Sequence, residues 1–334
     1  MKKRTWIVIL AAVCLVGILC ALLFGGNGSV FTEEIEKTAV AVPEGAELKL
    51  IVFTDIHHDP AYEVDPLKET LECAGKVGKK IGADAIWCLG DLINGHNSTK
   101  EEATALIREV ITEEEKTGIP FHNLEGNHDS NIQSTWDGSG GYGPEVVMGP
   151  EELAKVIGRP GETHSARRAT DYWVDFEKQG IRVICLSADY TTFTEETAAW
   201  LREEALQTDL DALVLSHCPT RPEWGFNGDI IGGELIEKEL KAFCDRGGTV
   251  IALIHGHDHG DMTETAEDLP WTGVAVGCAR FSVPAGGATP GMTYAARNAD
   301  DATRVLFDTV CVDREKREVR LIRFGAGEDR VIQY

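Results

Sequence analysis

The chain is 334 residues long and carries 55 Asp and Glu against 32 Lys and Arg, a formal net charge of −23. Affinity for polyanions rests on neutralising phosphates with Lys and Arg, so this balance argues against a long DNA or RNA substrate and against docking on an anionic lipid surface. The nine cysteines include no C-x-x-C pair and lie mostly in apolar runs, the pattern of buried small hydrophobes rather than of a disulfide framework or zinc site.

At the amino end, Lys2, Lys3 and Arg4 precede an uncharged stretch from Trp6 to Phe24. That stretch is near the ~20 residues that cross a bilayer as a helix, and longer than a usual signal-peptide core. No small-x-small cleavage pattern follows, and Leu19 stands before Cys20 where a lipoprotein motif prefers a small residue. Residues 1–28 are therefore expected to be an uncleaved anchor, transmembrane over 6–24, with its basic end inside. The rest of the chain is then extracytoplasmic on a single-pass membrane protein, or secreted if the segment is cleaved. Residues 29–47 read as a stalk and 48–334 as one α/β domain.

Five segments of that domain rise through short apolar runs and end in polar residues: LKLIVFTDIH in Asp55 and His57, AIWCLGD in Asp91, FHNLEGNHD in Asn127, His128 and Asp129, DALVLSH in His217, and VIALIHGHDH in His257 and His259. Apolar, often β-branched runs of this length suit strands buried on both faces, whose ends open on a ligand crevice. Asp-x-His puts two donors on one face of an extended segment. A glycine before Asp91 lets the chain turn sharply. The donor set of carboxylate, amide oxygen and imidazole, without thiolate, suits Mn, Fe, Zn or Ni. Each motif alone is an ordinary turn or strand end; the five together in order are specific. Between them, Pro66 to Lys80, Lys100 to Thr117, Thr194 to Gln207 and Gly233 to Arg246 carry helical spacing with acidic residues near their starts.

In this order the motifs D-x-H, G-D, G-N-H-D, H and G-H-x-H resemble the calcineurin-like metallophosphoesterase family over roughly residues 48 to 282. The resemblance implies a four-layer αββα sandwich with a dinuclear metal site at the strand ends. It implies that Asp55, His57, Asp91 and His259 hold one ion, and that Asp91, Asn127, His217 and His257 hold the other, with Asp91 shared. It gives His128 the role of stabilising or protonating the departing oxygen, with Asp129 orienting that ring. Two divalent or trivalent ions (Mn, Fe or Zn) would lower the pKa of the water between them and orient an in-line attack by hydroxide. The substrate would be a small phosphomonoester, phosphodiester or nucleotide. Asn94 stands where the purple acid phosphatase branch has a tyrosine, so no tyrosinate chromophore is expected. A non-catalytic phosphoryl- or metal-binding module on the same fold is the alternative, and hydrolysis of an amide or other ester is a third reading.

His58, His96, His122, His164 and His255 are left without a catalytic role. The long glycine-rich stretch after GNHD, roughly 130–172, offers Arg167 and Arg168 either as phosphate or carboxylate contacts or as a solvated face, and Trp136, Tyr142 and Tyr172 either as nucleobase-stacking residues or as residues that pin the loop. Arg221 and Trp224 follow the ligand His217 closely. VLFDTVCVD and EVRLIRFG read as closing strands around the charged turn REKR, and Gly325 and Gly327 are left out of the site.

Overall fold

The computed structural model describes residues 26–135, 143–157, 164–165, 170–188, 190–225, 230–281 and 291–334. The expected anchor over 6–24 lies outside them, as do Trp136, Tyr142, Arg167 and Arg168. Among the described residues no helix is long and apolar enough to cross a membrane.

In chain order the strands are β1 (Leu48–Phe53), β2 (Ala85–Cys88), β3 (Phe121–Asn123), β4 (His164–Ser165), β5 (Tyr172–Phe176), β6 (Ile181–Leu186), β7 (Asp211–Ser216), β8 (Val250–His255), β9 (Met262–Glu264), β10 (Gly273–Ala275), β11 (Leu306–Asp313), β12 (Glu318–Gly325) and β13 (Arg330–Gln333). The helices are α1 (Gly26–Ala41), α2 (Leu67–Ile81), α3 (Lys100–Thr117), α4 (Pro150–Val156), α5 (Glu195–Trp200) and α6 (Gly233–Asp245). Thr99 caps α3 by accepting from Glu102 N, and Gly82 and Gly118 end α2 and α3 in the left-handed conformation.

One sheet runs β13-β12-β11-β1-β2-β3, and the other β4-β5-β6-β7-β8-β10-β9. β1, β2 and β3 are parallel, as are β6, β7, β8 and β10. Alternation along β1 explains the layering: Leu48, Leu50 and Val52 meet Trp87, Val183, Leu213 and Ile254 between the sheets, while Ile51 and Phe53 pack toward Leu71 of α2 and Ile107 of α3. On the outer face of the second sheet, Ile184, Val214 and Leu253 pack with Trp200 and with Leu240 of α6. The result is the expected αββα sandwich. It brings the carboxyl ends of β1, β2 and β3 beside those of β7 and β8, where the two sheets meet.

Residues 29–47 differ from the expected stalk. Much of that segment belongs to α1, where Ile35 and Thr38 are buried, and the helix lies on α2 and β12. Phe31, Ile35 and Thr38 recur at helical spacing, and the Arg304 guanidinium lies over the Phe31 ring at 4.7 Å.

A buried ion cluster ties the sheets together near the site. Arg323 donates to Asp308 at 3.0 and 2.9 Å and to Asp261 at 2.8 and 2.6 Å. Removing one member of a buried ion network leaves unpaired charge behind. Arg323→Ala is therefore expected to lower unfolding free energy by about 3–5 kcal/mol in equilibrium denaturation.

Glu114 of α3 is fully buried, and its Oε2 accepts from Asn123 Nδ2 at 2.9 Å. Burial pushes its carboxyl from the ordinary 4.5 up to about 8, against that hydrogen bond. The folded state thus binds a proton more tightly than the unfolded chain, so stability is lost as pH rises from about 4.5 to about 8, on the order of a few kcal/mol. Glu114→Gln is expected to remove this loss. The check is the difference in unfolding free energy between wild type and variant at pH 5 and pH 9.

Candidate metal centre

Three of the five strand-end motifs deliver their ligands through an unusual backbone. Asp55, His57, Asp91, His257 and His259 all adopt positive φ, at 53°, 44°, 54°, 70° and 62°. For non-glycine residues this conformation costs roughly 1–3 kcal/mol each and persists only where the surroundings impose it. Cross-strand bonds do so here: Asp55 N donates to Gly90 O at 3.0 Å, His57 N to Asp91 O at 2.9 Å, and Gly256 N to His217 O at 2.9 Å. Gly126 permits a close approach, since a Cβ there would collide with Asp91 N and Oδ1.

Two groups of donor atoms converge. In the first, Asp55, His57, Asp91 and His259 each bring a ligand atom within 4.8 Å of the others. His57 Nε2 is 3.1 Å from His259 Nε2, and His259 Nε2 is 3.2 Å from Asp55 Oδ1. Asp55 Oδ2 is occupied by Thr54 Oγ1 and His257 N, whereas buried Oδ1 accepts no well-formed hydrogen bond among the described residues. In the second group, Asn127 Oδ1 lies 2.9 Å from both His217 Nε2 and His257 Nδ1. Asp91 joins the two. Its Oδ1 accepts from His128 N at 2.8 Å, and its Oδ2 stands 3.5 Å from His57 Nε2 and 3.5 Å from His217 Nε2. All seven expected ligands therefore meet in one crevice.

These spacings fit bound cations. An ion about 2.0–2.2 Å from each donor holds neighbouring donors roughly 3 Å apart, close to the separations of the first group. Opposed imidazole nitrogens and an undonated carboxylate oxygen make poor hydrogen-bond partners for one another and good ligands. The protonation pattern agrees. Burial opposes charge on His217, but Asp91, Asp55 and Asp129 outweigh it and raise the imidazole to about 10. Burial opposes ionisation of Asp55, yet His259 and then His217 hold it below the usual carboxylate range. Burial lowers His57 well below its ordinary value. The pocket thus demands positive charge, which protons or metal ions can supply. His217 Nδ1 donates to Leu89 O at 3.0 Å, which leaves Nε2 as the lone-pair nitrogen of the neutral ring.

His128 stands at the open side of the crevice, 21% exposed, with Nε2 3.8 Å from Asp91 Oδ2. Its ring meets that of His57 edge-on at 4.6 Å. Asp129 does not orient this ring as expected. Its carboxylate accepts from the backbone N–H groups of Asp91, Leu92, Ile93 and Gly126. The ring is fixed by Nδ1 donating to Asn94 O at 2.7 Å. Asp129 therefore shapes the loop that presents Asp91.

The remaining polar candidates have structural partners. Arg221 is held by Glu237 at 2.7 and 2.9 Å and by Asp268 at 2.9 and 2.7 Å, so it braces α6 rather than facing the metal centre. Trp224 is buried. Tyr172 sits in the core between the sheets and donates to Asn123 O, a core role rather than a base-stacking one. His58 lies between Asp65 and Glu109, His122 stacks on Trp87 at 4.3 Å, and His255 pairs with Glu264. Two residues near the centre carried no motif. Cys218 brings its thiol within 4.8 Å of the His217 and His257 ligand atoms, signalled only by adjacency to His217. Arg280 lines a small cavity with His259.

The sequence model described as calcineurin-like phosphoesterase matches residues 48–261. Among solved structures, a dimetal phosphatase from Danio rerio is 13% identical, with a TM-score of 0.57 over 86% of this chain and 99% of that one. GAP50 of Plasmodium, described as the anchor in the inner membrane complex, is 12% identical with a TM-score of 0.46, covering 82% of this chain and 83% of its own. A putative 5′-nucleotidase from Staphylococcus aureus is 13% identical, with a TM-score of 0.43 over 86% of this chain and 54% of that one. At 13% identity the likeness to the dimetal phosphatase speaks to the fold alone. A search of curated protein sequences finds no match.

Proposed function

The chain belongs to the calcineurin-like phosphoesterase family, a family of metal-dependent hydrolases of phosphoric esters, and on that premise we propose that it hydrolyses a small phosphoester at this centre. The observation that carries the reading is the convergence of Asp55, His57, Asp91, Asn127, His217, His257 and His259 on two adjoining positions that share Asp91 Oδ2. When bound there, a pair of divalent ions supplies electrophilic activation of the phosphoryl group and an acidified water.

The protein's own groups do the rest. Asp55, His57 and His259 fix the first position, and Asn127, His217 and His257 the second. Asp129 holds the Asp91 loop in register through its backbone hydrogen bonds. His128, pinned through Nδ1, turns Nε2 toward the crevice, where it delivers a proton to the departing oxygen. No serine or cysteine nucleophile is required.

The test is hydrolysis of matched aryl phosphomonoester and phosphodiester substrates by Mn-, Fe- or Zn-reconstituted protein. Metal-dependent turnover is the expected result, and the preferred ester assigns the subclass. Silence with every ester and metal would favour a phosphoryl-binding module.

We further propose that residues 6–24 anchor the protein with the catalytic domain outside the cytoplasm, on the basis of the uncharged stretch and the basic flank. Membrane fractionation with protease accessibility in intact spheroplasts checks it: the domain should pellet with membranes and be cleaved from outside.

A further inference from the structure

Beside the first metal position stands Arg280, whose guanidinium makes no ion pair among the described residues. Arg280 N donates to Asp55 O at 3.0 Å, which places the residue directly against a candidate ligand. The segment before it is tightly held: Ala279 N donates to Thr54 O at 2.8 Å, and Cys278 Sγ to Asp55 O at 3.1 Å. Arg297 clamps the same segment from behind, donating to the carbonyls of Cys278, Arg280 and Ala279 at 2.9, 2.5 and 3.1 Å. The position of Arg280 is therefore built rather than incidental.

The guanidinium lies over the ring of Tyr62 at 4.2 Å. Among the described residues it forms no ion pair, and its buried Nε has no hydrogen-bond partner. The contrast with Arg182, Arg221, Arg304 and Arg323, each paired with at least one carboxylate, is marked in a chain with 55 acidic residues. Stacking occupies the flat face of a guanidinium and leaves its in-plane N–H donors for a planar or tetrahedral oxyanion. Arg280 also lines the cavity that holds His259 and Tyr294.

We propose that Arg280, set by Arg297 and stacked on Tyr62, is a specificity-determining residue that binds a nonbridging oxygen of the substrate's phosphoryl group and selects a phosphomonoester dianion over a diester. The proposal rests on the phosphoester hydrolase reading above and deepens it. Two divalent ions beside Asp55 and Asp91 leave a formal surplus of about +2, which Arg280 raises by one. A terminal phosphate with two negative charges gains more from that added cation than a diester with one. A charge-assisted contact of this kind is worth about a 10–100-fold effect.

The experiment uses the full-length metal-loaded protein, with inorganic phosphate as the probe in titration calorimetry and the paired aryl esters as substrates. Arg280→Ala is expected to weaken phosphate binding about 10–100-fold, raise KM for the monoester by a similar factor with kcat changed less, and lower the monoester-to-diester ratio of kcat/KM by at least about tenfold. Metal content by elemental analysis should not change. Tyr62→Ala should shift phosphate affinity in the same direction by about 2–5-fold. Phosphate affinity and ester ratio both within about twofold of wild type, with metals retained, overturn the proposal. Should Arg280→Ala lose metal, Arg280→Lys decides on the same readouts: weakened phosphate with retained metal supports the fork-specific contact, and unchanged phosphate binding overturns it. If the wild type turns over neither ester, the hydrolase reading fails, while the phosphate titration still decides the role of Arg280.

Discussion

Asp91→Asn is expected to abolish hydrolysis and to strip metal from both positions, because one oxygen of this carboxylate serves both groups of ligands. Oδ2 stands 3.5 Å from His57 Nε2 in the first group and 3.5 Å from His217 Nε2 in the second, while Oδ1 is committed to His128 N. An amide keeps the shape but removes the negative charge that two cations share. Partners one shell out from a metal typically cost 10–100-fold in affinity or activity when removed, so loss of the shared ligand should exceed roughly 100-fold. Elemental analysis alongside hydrolysis is the check. Full metal content in the variant would show that Asp91 does not join the two positions.

His128→Ala should behave differently: turnover falls about 10²–10⁴-fold, as expected for loss of a general acid, with metal content intact. The ring lies outside both ligand groups and is fixed through Asn94 O, so its removal leaves the donors in place. Leaving-group dependence sharpens the test. A substrate that departs as a stable phenolate needs less protonation, so the loss should be smaller for a nitrophenyl ester than for an alkyl ester. Parallel loss of metal and activity would assign His128 to the metal positions instead.

The strand ends were legible because their signal is local. An apolar run of strand length followed by Asp, Asn or His carries both its secondary structure and its chemistry in adjacent residues, and helical spacing with Glu101 and Glu102 in the first turn did the same for α3. What depended on distant partners was not legible. Asp129 adjoins His128 in sequence, but in a tight turn neighbouring side chains diverge, and its carboxylate went to backbone groups of 91–93. Arg221 stood beside a ligand and looked available, whereas Asp268, 47 residues on, neutralises it. The helix over 26–41 was read largely as stalk because the polar GGNGS run opens it and only a docked face at Ile35 and Thr38 secures it. Arg280 had no motif at all; its place is fixed by the Arg297 clamp, a set of side chain to backbone bonds that leaves no local pattern.

The central claim is that two ions sit side by side and share Asp91. Anomalous difference maps from crystals grown with Mn²⁺ test it most directly. The account predicts two peaks, one ringed by Asp55, His57 and His259, the other by Asn127, His217 and His257, with Asp91 between them. A single peak, or peaks away from these side chains, would contradict it.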